Sequence, residues 1–310
     1  MKQLRSLQSL TATVLFVGGS LLLLVAREAE ADEFAYQYQK IIEAEAPVLL
    51  HLNLVRGKVH ISGGEEGQVI IEAVKRVRAA NEEEAEEVAD HIEIRVASSA
   101  SDVTINTNYL KMLSRSPSFW QKVLGSGSDS YGTVDYTISV PARSSIGIKS
   151  MAADIELSNI EGEIVIDNTV GSTRGEFLFG PITVRQSQGE IDLQWIEGDI
   201  HVRSSSSTVA IKQVHGAIDV FTQTGNVNIQ TELTSPRDYF VETTSGAITF
   251  SIPEAASGLL RMETQEGAIQ TEVPIIIKSV AHRRVVGEIG MGGPTITLST
   301  LSGDVTLARY

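Results

Sequence analysis

The residues of this chain that could do chemistry lie within a run of regularly repeated segments. At a spacing of eighteen residues His201 stacks beside Asp219, and Asp192 lies nine residues before His201. An imidazole beside a carboxylate on a neighbouring strand could bind a metal ion or polarise a water molecule. Such a pair is more often a cross-strand polar contact of modest energy. We therefore keep His201 and Asp219 as a polar pair and predict no catalytic, cofactor-binding or metal-binding residues.

Three other arrangements resemble known sites but are incomplete. Lyases and hydrolases built on parallel β-helices cluster several acids on adjacent coils. In this sequence no set of residues spaced by one repeat contains several acids. Residues 287–293 are rich in glycine, yet the Lys-Ser/Thr pair of a phosphate-binding loop does not follow them. The hydroxyl run 204–208 has no Gly-x-Ser-x-Gly motif beside it. The sequence predicts a protein without enzymatic activity, and a carbohydrate-active enzyme is the alternative.

The elements that must position these residues are repeats of eighteen residues between Asp154 and Leu233. The repeats share a glycine and, shortly after it, β-branched residues at alternate positions. The two clearest apolar columns are Ile164, Ile182, Ile200, Ile218 and Ile166, Val184, Val202, Val220. Alternate side chains of a strand point to opposite faces, and stacked coils must repeat their inward residues in register. This pattern predicts an all-β fold, a parallel β-helix (β-solenoid) of about 18 residues per coil.

Three details of the repeats lead to further predictions. A fifth apolar column lies at one corner of the coil and consists of Ile160, Leu178, Ile196 and Val214. The other corner is polar, and we expect it to be hydrated; its residues are Asn168, Gln186, Ser204 and Thr222. Residues 171–175 place Thr173 and Gly175 where the columns need apolar residues. We expect an irregular turn there, with Phe177 and Phe179 replacing part of the lost packing.

The repeat loosens but continues beyond Leu233. Residues 245–253 and 266–274 are paired phrases that each end in proline, and residues 295–307 contain the last strand pattern. Proline suits a coil corner because no ladder donor is needed there. We expect the final strand to leave an unpaired edge of the solenoid, which could pair with a strand of another chain.

The region before the solenoid divides into smaller parts. We assign residues 32–141 to an N-terminal β region and residues 142–310 to the solenoid repeats. Asn81 followed by Glu84 forms a capping box, which predicts a short capping helix over residues 82–91. Residues 109–132 break the strand pattern and form an apolar insert. Its residues Phe119, Trp120, Val123 and Leu124 either pack on the core or form an exposed patch for a partner or a membrane surface.

The first 31 residues have the pattern of an export signal. Lys2 and Arg5 precede an apolar run over residues 11–26, and Ala29-Glu30-Ala31 is a small-x-small cleavage site. We predict cleavage before Asp32 and a location in the periplasm, at the cell surface or outside the cell. The alternative is an uncleaved anchor in the inner membrane, formed by residues 11–26.

Composition limits the possible partners. The chain of 310 residues has a formal net charge of −14 and contains no cysteine. Such an acidic protein repels nucleic acid and anionic lipid surfaces, so we predict no nucleic-acid partner and membrane contact only through an uncleaved N-terminal segment. The absence of cysteine excludes disulfides, thiolate metal sites and a lipid-modified cysteine. The basic clusters 75–78 and 282–284 are interpreted as solvated strand faces or turns.

The order of these features resembles a known family. The phrase Gly57-Lys-Val-His-Ile61, the acidic helix, Tyr136-Thr-Ile-Ser-Val-Pro141 and Ser302-Gly-Asp-Val-Thr-Leu307 together resemble the bacterial candidate-adhesin family of exported β-strand-repeat proteins. The resemblance covers roughly residues 45–310. It implies a right-handed parallel β-helix and a cell-envelope location, and the family supplies no catalytic motif to transfer.

The functional prediction combines these observations. We expect a non-enzymatic exported β-solenoid that acts as a binding, adhesion or scaffold module of the cell envelope, with an unknown protein or glycan as its partner and no cofactor. Besides the carbohydrate-active enzyme, a membrane-anchored accessory protein of envelope stress is an alternative, and it requires that residues 1–31 remain attached.

Overall fold

A computed structural model of the chain describes residues 32–109 and 132–310. The predicted signal segment and the apolar residues Phe119, Trp120, Val123 and Leu124 lie outside the described residues. The strands of this part of the chain join into one extended sheet that winds into coils, so the predicted β-solenoid is confirmed.

Five long strands form the middle of the solenoid, and each makes a whole coil by bending at its centre. These strands are β2 (Val48–Gly64), β7 (Ser144–Glu161), β8 (Ile164–Phe179), β9 (Ile182–Glu197) and β10 (Ile200–His215). We call the part before each bend the first arm and the part after it the second arm. Neighbouring coils from β7 to β10 pair in parallel with an offset of eighteen residues, for example Ile146 with Ile164 and Ile182 with Ile200.

In later coils the two arms are separate strands. The pairs are β11 (Ile218–Thr224) with β12 (Val227–Thr231), β13 (Tyr239–Ser245) with β14 (Ile248–Ile252), β15 (Gly258–Glu266) with β16 (Ile269–Thr271), and β19 (Thr295–Ser302) with β20 (Val305–Arg309). The hydrophobic core lies between the arms. The predicted columns point into it, since residues such as Ile164, Ile182 and Val202 are at most 1% exposed.

Shorter elements cover both ends of the solenoid. At the N-terminal end these are β1 (Asp32–Glu43), β3 (Gln68–Ala79), β4 (Glu93–Ser98), β5 (Asp102–Asn108) and β6 (Thr133–Pro141). The predicted helix is present as α1 (Glu82–His91), and Asn81 caps it by accepting a hydrogen bond from the backbone N–H of Glu84. It packs on β3, where the Lys75 ammonium donates to the carbonyl of Ala89 at 2.9 Å.

The order of the last coils differs from the order of the sequence. Strands β19 and β20 pair in parallel with β13 and β14 on one side and with β15 and β16 on the other. The antiparallel strands β18 (Arg284–Ile289) and β17 (Ile276–Ala281) then extend the sheet beyond β15. The prediction that the final strand leaves an unpaired edge is therefore wrong, because the chain returns from β18 to fill a place between two earlier coils.

Glycine is required where the coils turn. Gly216 has φ +127°, and a Cβ at this residue would lie 2.1 Å from the carbonyl oxygen of Gly198 on the preceding coil. A side chain here would therefore meet backbone that cannot move without breaking the ladder. The spacing of the glycines follows directly from the length of one coil.

Two local predictions are wrong. Residues 171–175 continue β8 in register with β9, and the buried Thr173 hydroxyl donates to the side-chain carbonyl of Gln186 at 2.7 Å. The side chains of Leu178 and Leu193 fill the space above Gly175, whereas Phe177 and Phe179 are exposed. In the fifth column Ile160, Leu178 and Ile196 are buried, but Gln213 takes the buried place that was assigned to Val214.

The prediction that the polar corner is hydrated is also wrong. Asn168, Gln186, Ser204 and Thr222 are each 7% exposed or less, so this corner is shielded from solvent. Their side chains bond inside the coil: the Asn168 amide donates to the carbonyl of Ala153, and the Gln186 amide to that of Gly171. Buried polar groups paired in this way fix the stacking of one coil on the next.

Candidate binding surfaces

The polar pair of the repeats is brought together on neighbouring coils. His201 on β10 is the register partner of Asp219 on β11, and Nδ1 of His201 lies 3.6 Å from Oδ2 of Asp219. The guanidinium of Arg203 also binds this carboxylate. Asp192 accepts a hydrogen bond from Gln194 at 2.6 Å. Because Arg203 already neutralises Asp219, the arrangement is an exposed ion-pair cluster on the strand face.

A larger site lies where the second arms begin, at the N-terminal end of the solenoid. A cavity of about 860 Å³ opens there, within the size range of ligand sites. Its floor is made by small residues at the bends of the coils, among them Ala153 and Gly171. Four basic side chains line it, and we call it the basic groove: Arg56, Lys58, Arg76 and Arg78.

The carboxylates of the basic groove are all engaged. Asp135 accepts hydrogen bonds from the backbone N–H of Lys58 at 2.9 Å and from Arg76 at 2.6 Å. Glu33 lies 3.0 Å from the guanidinium of Arg76 and 3.8 Å from that of Arg78. The hydrogen bonds that Arg76 donates to Asp135 and Glu33 raise its pKa above the ordinary value.

The third carboxylate binds the next coil. Asp154 accepts hydrogen bonds from the backbone N–H and the hydroxyl of Ser172, at 2.9 and 2.8 Å. Four cations and three carboxylates leave the lining of the groove with a formal charge of +1, in a chain whose formal net charge is −14. Asp135 and Asp154 are each held by a backbone N–H group, so the groove offers an acidic ligand the four cationic side chains of its lining.

Sequence reasoning missed the basic groove because its residues come from different parts of the chain. Arg76 and Arg78 belong to the cluster interpreted as a solvated strand face, and they are indeed exposed on β3. Arg56 and Lys58 flank the bend of β2, and Asp135 belongs to β6. Only the pairing of β3 with β6 and of β6 with β2 places these residues around one cavity.

A second surface lies at the other end of the second arms. Phe177, Phe179 and Trp195 are 41%, 41% and 42% exposed, and we call this set the aromatic ridge. The ammonium of Lys212 lies 3.6 Å from the centroid of the Trp195 ring, a cation–π contact that orients the indole. From the sequence, Phe177 and Phe179 were predicted to pack against the core, and no role was predicted for Trp195.

The backbone of the ridge is unusual. Asn159, Phe177 and Trp195 occupy equivalent places on three successive coils, and their φ angles are 56°, 53° and 58°. Asparagine tolerates this left-handed conformation, whereas for a bulky residue it is an outlier that costs roughly 1–2 kcal/mol. The eighteen-residue spacing of these three residues was visible in the sequence and could have indicated the ridge.

Metal-ligand clusters and membrane-spanning helices are both absent from the described residues. Within residues 32–109 and 132–310, no group of three His, Asp or Glu side chains is close enough to hold a metal ion. In the same ranges no helix is long and apolar enough to cross a membrane.

The fold and its repeats define a β-solenoid protein. The model of the Toastrack DUF4097 family matches residues 52–308, and the chain therefore belongs to this family. No curated protein matches the chain at a significant level.

Several solved structures are similar to the chain, and three of them follow. A candidate cell adhesion protein from Clostridium sporogenes shares 14% identity, with 89% of this chain and 100% of that chain covered and a TM-score of 0.26. A candidate adhesin from Bacteroides fragilis shares 11%, with 89% and 97% covered and a TM-score of 0.38. A candidate lipid-binding protein from Parabacteroides distasonis shares 11%, with 87% and 96% covered and a TM-score of 0.32.

Proposed function

We propose that this protein is a non-enzymatic binding and scaffold module, exported to the bacterial cell envelope, whose basic groove takes an acidic group of an envelope glycan. The observation that carries the proposal is the groove: four cations around one cavity of a chain with a formal net charge of −14. A local excess of positive charge is unexpected on such a surface, and it selects a ligand that brings a carboxylate, sulfate or phosphate.

The frame around the groove supports a binding role. Its floor is formed by the bends of β2, β7 and β8, which are paired along their length and turn on a buried polar corner. Such a frame holds the charged side chains of β2, β3 and β6 at fixed separations. A rigid site loses little conformational entropy when a ligand binds.

The proposal is tested with a charged and an uncharged form of one polymer. The full-length chain, purified in whichever processed form accumulates in a bacterial host, is titrated with dextran sulfate and with dextran. We expect binding of dextran sulfate alone, which weakens as salt is added. The double substitution Lys58→Glu and Arg78→Glu should weaken it at least about tenfold.

The control carries the same change of charge elsewhere. Lys149→Glu with Arg261→Glu alters two exposed cations outside the groove and should leave most of the affinity intact. An equal loss in the control would mean that only the overall charge matters and would contradict a site at the groove. Failure of the unchanged protein to bind dextran sulfate would also contradict it.

The location is tested separately. Intact-mass analysis and fractionation of the same expressed chain should give a soluble species that begins at Asp32. A full-length, membrane-bound species would instead favour the anchored alternative.

A further inference from the structure

We propose that β17 is a docking surface for a second copy of this chain, and that two copies pair their β17 strands in antiparallel across a two-fold axis. The proposal is independent of the basic groove, which lies at the other end of the solenoid. It rests on the unpaired edge of β17, on the exposure of its inward face and on the symmetry of its sequence.

The outer edge of β17 is unpaired within the described residues. In ranges 32–109 and 132–310 this strand pairs with β18 alone, as the outermost strand of the sheet that continues from β15. All six of its residues are exposed. An exposed strand edge presents a row of backbone donors and acceptors that another strand can complete. The kind of partner that fits this edge is therefore a strand.

The inward face of β17 is apolar and continues the wall of the core. Val280 is the outermost member of a row of register partners that starts at Met262 and passes through Val285, and Ile277 ends the neighbouring row. Exposure rises along the first row from 0% at Met262 to 63% at Val280, and Ile277 is 58% exposed. In the described residues the opposite arm ends at β16, so it does not cover these two side chains.

The sequence of β17 is symmetric about Ser279. Lys278 is skipped in the ladder with β18, so β17 has five ladder places and Ser279 is the middle one. Without this bulge Ile277 and Val280 would lie on opposite faces of the strand. With it they share the inward face, one place on either side of Ser279. A two-fold axis at Ser279 therefore sets Ile277 of each copy beside Val280 of the other, as an apolar cross-strand pair.

The charges of the hairpin permit this pairing. The ammonium of Lys278 lies 2.9 Å from Oε2 of Glu288 on β18, so the charge on the strand is already neutralised. The basic residues His282 and Arg283 form the turn at one end of β17. Antiparallel strands place the two turns at opposite ends of the pair, so the like charges of the two copies stay apart.

The other end of the solenoid favours a closed pair over a filament. The matching edge there is β4, which lies beyond β5. Lys40 reaches it from β1 and donates to the carbonyl of Val96 at 3.4 Å. A lysine across a strand edge opposes the addition of another strand. On β17 the lysine turns back to Glu288 instead, so β17 matches the β17 of another copy and growth ends at two.

The first test measures the mass of the full-length chain by sedimentation velocity over a roughly hundredfold range of concentration. We expect a reversible equilibrium of monomer and dimer. Ile277→Lys and Val280→Lys each place a charge in the apolar pair and should weaken the dimer at least about tenfold. Both side chains are more than half exposed, so the monomers should fold. Ile41→Lys changes a 59% exposed residue of β1 at the other end, and this matched control should dimerise as the unchanged protein does.

The second test determines the register. The chain has no cysteine, so one introduced thiol can form a disulfide only with a second copy. Ser279 lies at the two-fold axis, where opposing Cα atoms are about 4.5–5.5 Å apart, within reach of a disulfide. Ser279→Cys should therefore form covalent dimers with oxidised glutathione. Ala281→Cys, on the same strand and face, lies four ladder places, about 14 Å, from its copy and should not.

Several results would overturn the proposal. In sedimentation these are a monomer at every concentration, a dimer that survives both lysine substitutions, species larger than a dimer, or loss of the dimer in Ile41→Lys. In cross-linking they are no covalent dimer of Ser279→Cys or an equal yield from Ala281→Cys. The variant with Lys58→Glu and Arg78→Glu should dimerise normally, so failure of the groove and failure of this contact are distinguishable.

Discussion

The carboxylate of Asp304 accepts a hydrogen bond of 2.8 Å from the backbone N–H of Ala268, a residue that comes earlier in the chain but lies on the next coil outward. The same bond joins Asp199 to Ala217 and Asn226 to Ala247, both at 3.0 Å. In those coils the acceptor comes first in sequence. The bond therefore marks the order of coils in space, and it shows that β20 is an inner strand.

The first prediction concerns this inner position. Leu307 on β20 is fully buried, so Leu307→Ala should lower the free energy of unfolding by about 2–5 kcal/mol. Leu301→Ala, which truncates a 44% exposed side chain at the end of β19, should change it by about 0.5 kcal/mol or less. Urea denaturation measures both, and equal small losses would indicate that the last strands lie at a frayed edge.

The second prediction concerns the coil corners. Gly216→Ala would place a Cβ 2.1 Å from a backbone oxygen, so the loss of stability should be about 3 kcal/mol or more. Gly67 also has a positive φ, of +87°, but has open space around it, and Gly67→Ala should lose about 1 kcal/mol. Thermal melts of the two variants separate the cost of the steric clash, which only Gly216→Ala has, from the cost of the positive φ, which both variants share. Similar losses of stability would mean that the backbone around Gly216 can shift to relieve the clash.

The third prediction concerns acid. Burial would raise the pKa of Asp199, but hydrogen bonds from Ala217 and Arg237 outweigh it and hold the pKa below 3.8. The resulting stability is complete above pH 3.8 and is lost as the pH falls through the lower value of the folded state. Asp199→Asn keeps an acceptor for Ala217, so the melting temperature of the variant should fall less steeply as the pH is lowered.

Glu254→Gln changes an exposed carboxylate and is the control for this measurement. Melting temperatures between pH 7 and pH 2 should fall in parallel for the control and the unchanged protein. If Asp199→Asn follows the same line, Asp199 contributes nothing to acid unfolding.

The fourth prediction concerns alkali. Burial raises the pKa of Tyr136 from 10.0 to about 12, although its hydrogen bond with Thr107 acts in the opposite direction. The stability that this neutral phenol contributes is complete below pH 10.0 and is lost as the pH rises through about 12. Tyr136→Phe should therefore be less sensitive to pH in this range.

The hydroxyl of Thr107, 2.7 Å from that of Tyr136, would lose its partner in this variant at a cost of about 1–3 kcal/mol. Thr107→Val combined with Tyr136→Phe removes both polar groups and isolates the titration. Denaturation at pH 8 and pH 11 gives the result, and an unchanged pH dependence in the double variant would contradict the role of Tyr136.

The sequence predicted the parts of the fold that depend on periodicity. Ile200 and Val202 were placed in the core because the same residue types recur every eighteen residues, and both are fully buried. Counting by eighteen fails at Gln213. Where β9 pairs with β10, Trp195 is skipped on β9 and Val214 is skipped on β10, so Gln213 lies opposite Ile196. A shift of one residue exchanges the inward and outward sides of a strand.

The order of the last coils could not be predicted. The phrases at Gly246, Gly267 and Gly303 are alike, so each strand could pair with either of the others. Their order is set by the hairpin of β17 and β18, which extends the sheet from β15 and returns the chain to the gap beside β13. The basic groove was equally hidden, because α1, β4, β5 and the insert 109–132 separate β6 in sequence from β2 and β3.

The inner place of β19 and β20 also bears on the order of events during synthesis. Until residues 295–309 have emerged from the ribosome, β13 and β15 face a vacant position, and neither can complete its ladder. Solenoids can otherwise grow coil by coil from the N-terminal end. Here we expect the final coils to close only in a late step, which would couple the last stage of folding to the completion of the chain.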